Sequence, residues 1–357
     1  MKKQLIIGAS LALPICAFAQ ASVTLYGRIN VSANYQSYAA TATKPEQHGV
    51  TLSSDTSWWG MRGVEDLGGG NRAYFKLEGG FQVDTGSQSN PSSIFNRETY
   101  AGLGSDTFGS IQAGSQYSPS IFISAKVDPF IRSNVGAQFS LLQAGGTGVP
   151  RGYGIQYQNA VQYISPTIAG ITARALISAA EGSPNGASYA GSLEYANGPL
   201  YVGFIYDQVK VASAAVGLAP GAPVEDANYS FAAAYKFSFA RVGGWYETNH
   251  IDGAKNVTGW MLGATIPVGE VSDIRTSFAH RNQQNANASL LAAGYFYKLS
   301  KRTEIYTAIA RLENSGTASF GIWPIAPPNP DLGNPTNGPL APGRDVKAFQ
   351  VGMLHVF

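Results

Sequence analysis

Charge is in short supply in this sequence: Asp, Glu, Lys and Arg make up 13% of its 357 residues, with 24 basic residues against 22 acidic ones. A strongly basic face for nucleic acid is therefore disfavoured. Cysteine occurs once, as Cys16, so the rest of the chain is excluded from disulfide, zinc-thiolate and thiol-nucleophile chemistry. Histidine is limited to His48, His250, His280 and His355, none of which has a serine or acidic neighbour in a recognisable catalytic motif. That argues against a hydrolase, which needs a base and an orienting group around its nucleophile. No run after Gln20 comes near the roughly 20 consecutive apolar residues of a transmembrane helix. No ligand spacing suggests a metal, and the glycines at 68–70 lack the following Lys-Ser/Thr pair of a phosphate loop. No cofactor is expected.

What is present begins with a leader. Lys2 and Lys3 precede an apolar stretch from Leu5 to Ile15 and the small-residue site Ala17-Phe18-Ala19, the layout of a cleaved secretory signal peptide over residues 1–19. The stretch is too short to anchor the chain as a helix, and the branched Ile15 stands where a lipoprotein site before Cys16 would take a small residue. The mature chain is expected to start at Gln20, and without Lys2 and Lys3 it carries 22 basic residues against 22 acidic ones. No linker divides residues 20–357, which are read as one domain.

Any membrane residence must then come from alternation. From Ser22 to Tyr35, Val23, Leu25, Gly27, Ile29, Val31, Ala33 and Tyr35 fall on one face, and Thr24, Tyr26, Arg28, Asn30, Ser32 and Asn34 on the other. Taken alone, this segment suits a soluble sandwich strand as well. The pattern repeats, however, in segments of roughly the length of tilted membrane strands. They run 22–35, 51–64, 71–83, 95–104, 108–116, 155–165, 170–180, 188–196, 199–211, 226–238, 240–250, 256–266, 271–282, 287–299, 302–313 and 345–357. Sixteen strands let a sheet close with no edge exposed to lipid. Tight connections such as 65–70, 165–167, 196–198, 266–269 and 300–301 alternate with long ones at 36–50, 84–94, 117–154, 212–225 and 314–344. Short periplasmic turns and long extracellular loops would produce that sorting, which a sandwich does not require. Aromatics near strand ends, among them Phe231, Tyr235, Phe237, Tyr295, Tyr297 and Phe349, suit the membrane interfaces, although rings also pack well in any sheet.

Several segments together resemble the trimeric, sixteen-stranded general porins of Gram-negative outer membranes. They are Val23-Thr24-Leu25-Tyr26-Gly27-Arg28, the run from Trp59 to Gly70, Phe95 to Leu103, Phe108 to Gly114, Asn159 to Pro166 and the terminal Val351 to Phe357. The resemblance implies an all-β transmembrane barrel whose third loop, 117–154, folds into the pore. It implies a homotrimer in outer-membrane lipid that passes small hydrophilic solutes and ions. It also implies that Phe357, closing a last strand with Phe349, Val351 and Met353 at alternating positions, signals to the outer-membrane assembly machinery.

The same resemblance marks Arg28, Arg62 and Arg97 as rungs of a basic wall facing the third loop, with Asp128 as the acidic group on that loop. Asp128 also suits a turn cap before Pro129. Trp58, Gln156 and Ser115 stand where the family usually has arginines, and Arg132 or Arg151 is placed to fill the gap. The implied pore has weak charge selectivity set up by a transverse field, and Trp58 offers a stacking face for uncharged or aromatic small molecules. A barrel enzyme and a secreted β-sandwich binding protein are the competing classes; hydrolysis without channel conductance would favour the first, and recovery without detergent the second.

Overall fold

The computed structural model describes residues 22–143, 156–181, 186–216, 218–322 and 340–357. The signal-peptide assignment at 1–19, Arg151 and the prolines from Pro324 to Pro339 lie outside the described residues. In chain order the strands are β1 Ser22–Tyr38, β2 Gln47–Ser54, β3 Trp58–Gly68, β4 Asn71–Gly80, β5 Thr99–Ser105 and β6 Gly109–Tyr117. Helix α1, Pro119–Val127, and a 3-10 turn, Gln138–Ser140, follow in the third loop. The barrel resumes with β7 Gln156–Ile164, β8 Ile171–Ser178, β9 Ser188–Asn197, β10 Leu200–Val211, β11 Val224–Lys236 and β12 Arg241–Ile251. It ends with β13 Val257–Val268, β14 Ser272–Asn282, β15 Ala288–Lys298, β16 Thr303–Asn314 and β17 Val346–Val356.

Every strand pairs antiparallel with its neighbours in a single sheet, and β1 pairs with β17 from Arg28 opposite Val356 to Tyr38 opposite Val346. The sheet thus closes and leaves no row of unpaired backbone groups for lipid, where each would cost several kcal/mol. Alternation decides which face is which. Val23 and Leu25 are 61% and 62% exposed to the outside, while Asn30, Ser32, Asn34 and Gln36 are buried within. Short turns, such as Gly68-Gly69-Gly70 with φ of +79°, +62° and +78°, occupy one end of the barrel. Longer connections, including 39–46, 81–98 and the segment that begins at 118, occupy the other. The left-handed φ values explain glycine in that turn, since other residues are strained there.

One expected strand is corrected. Residues 51–64 form two segments, β2 and β3, which share one strand position beside β1 and so give seventeen segments in sixteen positions. Val31 faces Ser54 whereas Arg28 faces Trp58; three steps along β1 match four along its partner, which is one inserted residue, a bulge. Thr56 takes a φ of +63° there. The break turns the Asp55 carboxylate inward, where it accepts hydrogen bonds from Ser32 Oγ at 3.1 Å, Tyr306 Oη at 3.0 Å and Gln350 Nε2 at 2.6 Å. Three donors compensate a buried carboxylate for its lost water.

The apolar core of the molecule is inside the barrel, on one side. Ile123, Val127, Phe130, Val135, Leu141 and Leu142 of the third loop are fully buried against Ile205, Trp245, Met261, Leu290 and Phe296 of the wall. Burial of each such side chain contributes about 1.5–3 kcal/mol. Close approach is possible because the wall carries glycine beneath the loop. A Cβ at Gly243 would collide with the Val127 carbonyl, and one at Gly263 would lie 2.6 Å from Pro129 Cγ.

Candidate functional site

Helix α1 starts where Ser118 Oγ accepts a hydrogen bond from Ser120 N at 3.0 Å with Pro119 in the first turn, and it ends at Asp128. Ser-Pro at the start and Asp-Pro at the end are helix boundary signals, and they were available in the segment 117–154 that the sequence reading treats only as a loop. One side of α1 packs on β10, β11 and β12. Beyond it the loop is stitched to the wall by polar contacts. Gln143 N donates to the Glu247 carboxylate at 3.1 and 3.2 Å, Ser277 Oγ to Gly136 O at 3.2 Å, Val135 N to Gln350 Oε1 at 3.2 Å and Asn30 Nδ2 to Ser133 Oγ at 3.1 Å.

The other side of α1 meets a wall of cations and rings. Register puts Arg28 opposite Trp58, Thr24 opposite Arg62, Arg62 opposite Lys76 and Gly60 opposite Glu78, all on the inner face. The Arg62 guanidinium lies over the Tyr26 ring at 4.7 Å. Tyr26 meets Trp58 edge-on with centroids 5.3 Å apart. Arg97 sits 5.3 Å from the Trp58 ring and 5.3 Å from the Tyr117 ring. Tyr117 then meets Phe122 of α1 edge-on at 6.1 Å, and Arg174 lies 6.0 Å from Phe122. Each cation–ring contact is worth about 0.5–1 kcal/mol when exposed, so the run orders a surface that would otherwise be flexible side chains.

Carboxylates temper the wall without cancelling it. Lys76 Nζ is 2.8 Å from Glu78 and 2.6 Å from Glu98. Glu78 also accepts from Tyr26 Oη at 2.8 Å and lies 3.5 Å from Arg97 Nε. Glu194 pairs with Lys126 and with Arg174, the latter at 3.2 Å, and accepts from Tyr201 Oη at 2.8 Å. Arg28, Arg62, Lys76, Arg97, Lys126, Arg174 and Arg241 are therefore set against Asp55, Glu78, Glu98 and Glu194, an excess of positive charge on this side of the lumen.

Of the residues singled out from sequence, Arg28, Trp58, Arg62, Arg97 and Gln156 come together here. Arg28 braces the break between β2 and β3, its Nε donating to Thr56 O at 2.9 Å. Gln156 Nε2 donates to Ser115 Oγ at 2.7 Å and to the Arg97 carbonyl, so two positions expected to carry arginine instead buttress one. Asp128 is a correction. It is 2% exposed, its Oδ1 accepts from Phe130 N at 2.9 Å and its Oδ2 from Arg132 N at 3.0 Å, so the carboxylate closes the turn rather than facing solute. Burial pushes its pKa up to about 6, and those backbone donors oppose the rise. Arg132 does not fill the gap either, because its Nη1 is held by Ser124 Oγ at 2.9 Å and by Gln143. Tyr26, Lys76, Glu78, Glu98, Tyr117, Arg174 and Glu194 were missed. Tyr26, Lys76 and Glu78 were legible, since they share the wet face with Arg28 and Arg62.

A closed sixteen-position barrel, apolar outside and polar within, with a loop packed inside it, defines the class: an outer-membrane barrel of the pore-forming type. Comparison with known proteins places it more narrowly. The profile of the Gram-negative porin family matches residues 7–317. The chain is 30% identical over 373 residues to outer membrane porin protein 32 of Delftia acidovorans, covering 100% of both chains. It is 27% identical over 389 residues to an outer membrane porin protein of Bordetella pertussis, covering 90% of this chain and 98% of that one. Among solved structures it is similar to an anion-selective porin from Comamonas acidovorans, with a TM-score of 0.78 and 27% identity over 95% of this chain and 100% of that one. The chain belongs to the Gram-negative porin family and is an outer-membrane porin.

Proposed function

We propose that the chain forms a water-filled channel for passive diffusion of small hydrophilic solutes and ions, with a weak preference for anions. The observation that carries this reading is the uneven charge inside the barrel: a wall rich in guanidinium and ammonium groups faces a third loop whose Asp128 is turned away from solute. In a narrow passage with low-dielectric walls, such an excess raises the local concentration of anions. Arg28, Trp58, Arg62 and Arg97 line the constriction, and Gln156 supports it. The similarity to an anion-selective porin agrees with the sign. A homotrimer is proposed on family membership alone. The series of rings from Tyr26 to Phe122 favours a second reading, a channel that prefers uncharged or aromatic small molecules.

Trp58→Arg tests the constriction. One more cation at that position should raise anion permeability relative to cations in a reversal-potential measurement across a KCl gradient, and an unchanged potential would remove Trp58 from the lining. Phe357 is proposed as the assembly signal. Its backbone exchanges hydrogen bonds with Gly27 at 3.2 and 3.0 Å, at the seam where β1 meets the chain end. Deleting it should lower the amount of folded, heat-modifiable protein recovered from outer membranes; equal recovery would leave Phe357 as a seam residue only.

A further inference from the structure

We propose that Arg62 and Arg97, together with the rings of Tyr26, Trp58 and Tyr117, form a subsite for small aromatic monocarboxylates. This rests on the reading of the chain as a diffusion channel and names a solute class for it.

The cations of the wall and of α1 differ in how fully carboxylates engage them. Lys76 is engaged by Glu78 and Glu98, and Lys126 and Arg174 by Glu194. Arg62, which is exposed, has no carboxylate partner among the described residues and is held only by its contact with the Tyr26 ring. Arg97 is held between the rings of Trp58 and Tyr117; its Nε is buried without a hydrogen bond and approaches Glu78 no closer than 3.5 Å. Its side chain keeps 25% exposure, and neither terminal nitrogen has a hydrogen-bond partner among the described residues. The two rings therefore flank the guanidinium and leave its terminal nitrogens able to donate.

An open guanidinium fork is the group that binds a carboxylate through two parallel hydrogen bonds. What the neighbouring rings add is discrimination by the rest of the solute. An aromatic ring attached to that carboxylate can meet Trp58 or Tyr117 face-to-edge and lie against a guanidinium plane, whereas a saturated ring of similar size has no π-face to offer. Glu78 beside Arg97 sets the charge. A second carboxylate on the solute would meet it at short range, which favours monoanions.

The test is the reduction of single-channel chloride current in KCl by potassium benzoate, cyclohexanecarboxylate and phthalate. Benzoate should halve the current at a concentration at least about three-fold below that of cyclohexanecarboxylate, and below that of phthalate. Arg97→Lys keeps the charge but loses the planar fork and should remove the difference between benzoate and cyclohexanecarboxylate; Trp58→Leu should reduce it. Equal effects of the two acids on the parent protein, or an undiminished difference in Arg97→Lys, would overturn the subsite while leaving the channel reading intact. Absence of any chloride current from folded protein would overturn both.

Discussion

Glu247→Ala should loosen the third loop around Gln143 from the barrel wall and lower stability by about 3–5 kcal/mol, the usual consequence of removing one member of a buried ion pair. Glu247 and Arg281 each keep only 1% side-chain exposure, 3.9 Å apart. The carboxylate also accepts from Gln143 N and, at 3.0 Å, from Trp245 Nε1, and Arg281 Nη1 donates to Leu141 O at 3.2 Å. Removal of the carboxylate takes an ion-pair partner from Arg281 and the acceptor from Gln143 N in one step. Urea unfolding in detergent, followed by heat-modifiable mobility, should show the midpoint falling, and single-channel traces should become noisier as the loop moves in the lumen. Glu247→Gln keeps acceptors for Gln143 N and Trp245 and should lose less. An alanine variant with the parent midpoint and quiet current would mean that the apolar contacts of Leu141 and Leu142 hold the loop unaided.

Arg62→Glu combined with Arg97→Glu should abolish the anion preference or invert it. The wall then loses two cations and gains two carboxylates, at positions where the guanidinium groups lie against rings. The reversal potential in a KCl gradient should move to zero or change sign. The shift should be largest at low salt, since screening acts over about 10 Å at 0.1 M but only about 3 Å at 1 M. A double variant with the parent potential would place the selectivity elsewhere in the lumen.

Much of the barrel was legible because a two-residue period and closure leave few alternatives. Sixteen strand positions follow from the spacing of segments such as 22–35 and 302–313, and β1 and β16 overlap them closely. The break at Asp55 also left a trace. Val50 and Leu52 face out at even positions, and Trp59 and Met61 at odd ones, so the pattern slips by one between them. Arg28, Arg62 and Arg97 were placed by resemblance, and Arg28 also by the wet face of the alternation. The role of Asp128 was not decided by sequence, because Asp before Pro suits a turn cap and a pore-facing acid equally; only its two backbone donors settle it. What Gln156 does in place of a charge was not legible, because its partners, Ser115 and the Arg97 carbonyl, lie 41 and 59 residues away. Contacts at such separation follow from how the barrel brings strands together, which no local pattern encodes.

Conduction through this barrel requires a lumen open past the Arg62–Trp58–Arg97 wall. Planar-bilayer recording of the detergent-purified protein tests this most directly. Discrete conductance steps, with a reversal potential in a KCl gradient displaced modestly toward anions, are the predicted result; folded barrels that insert and carry no current, or that select cations, would contradict it.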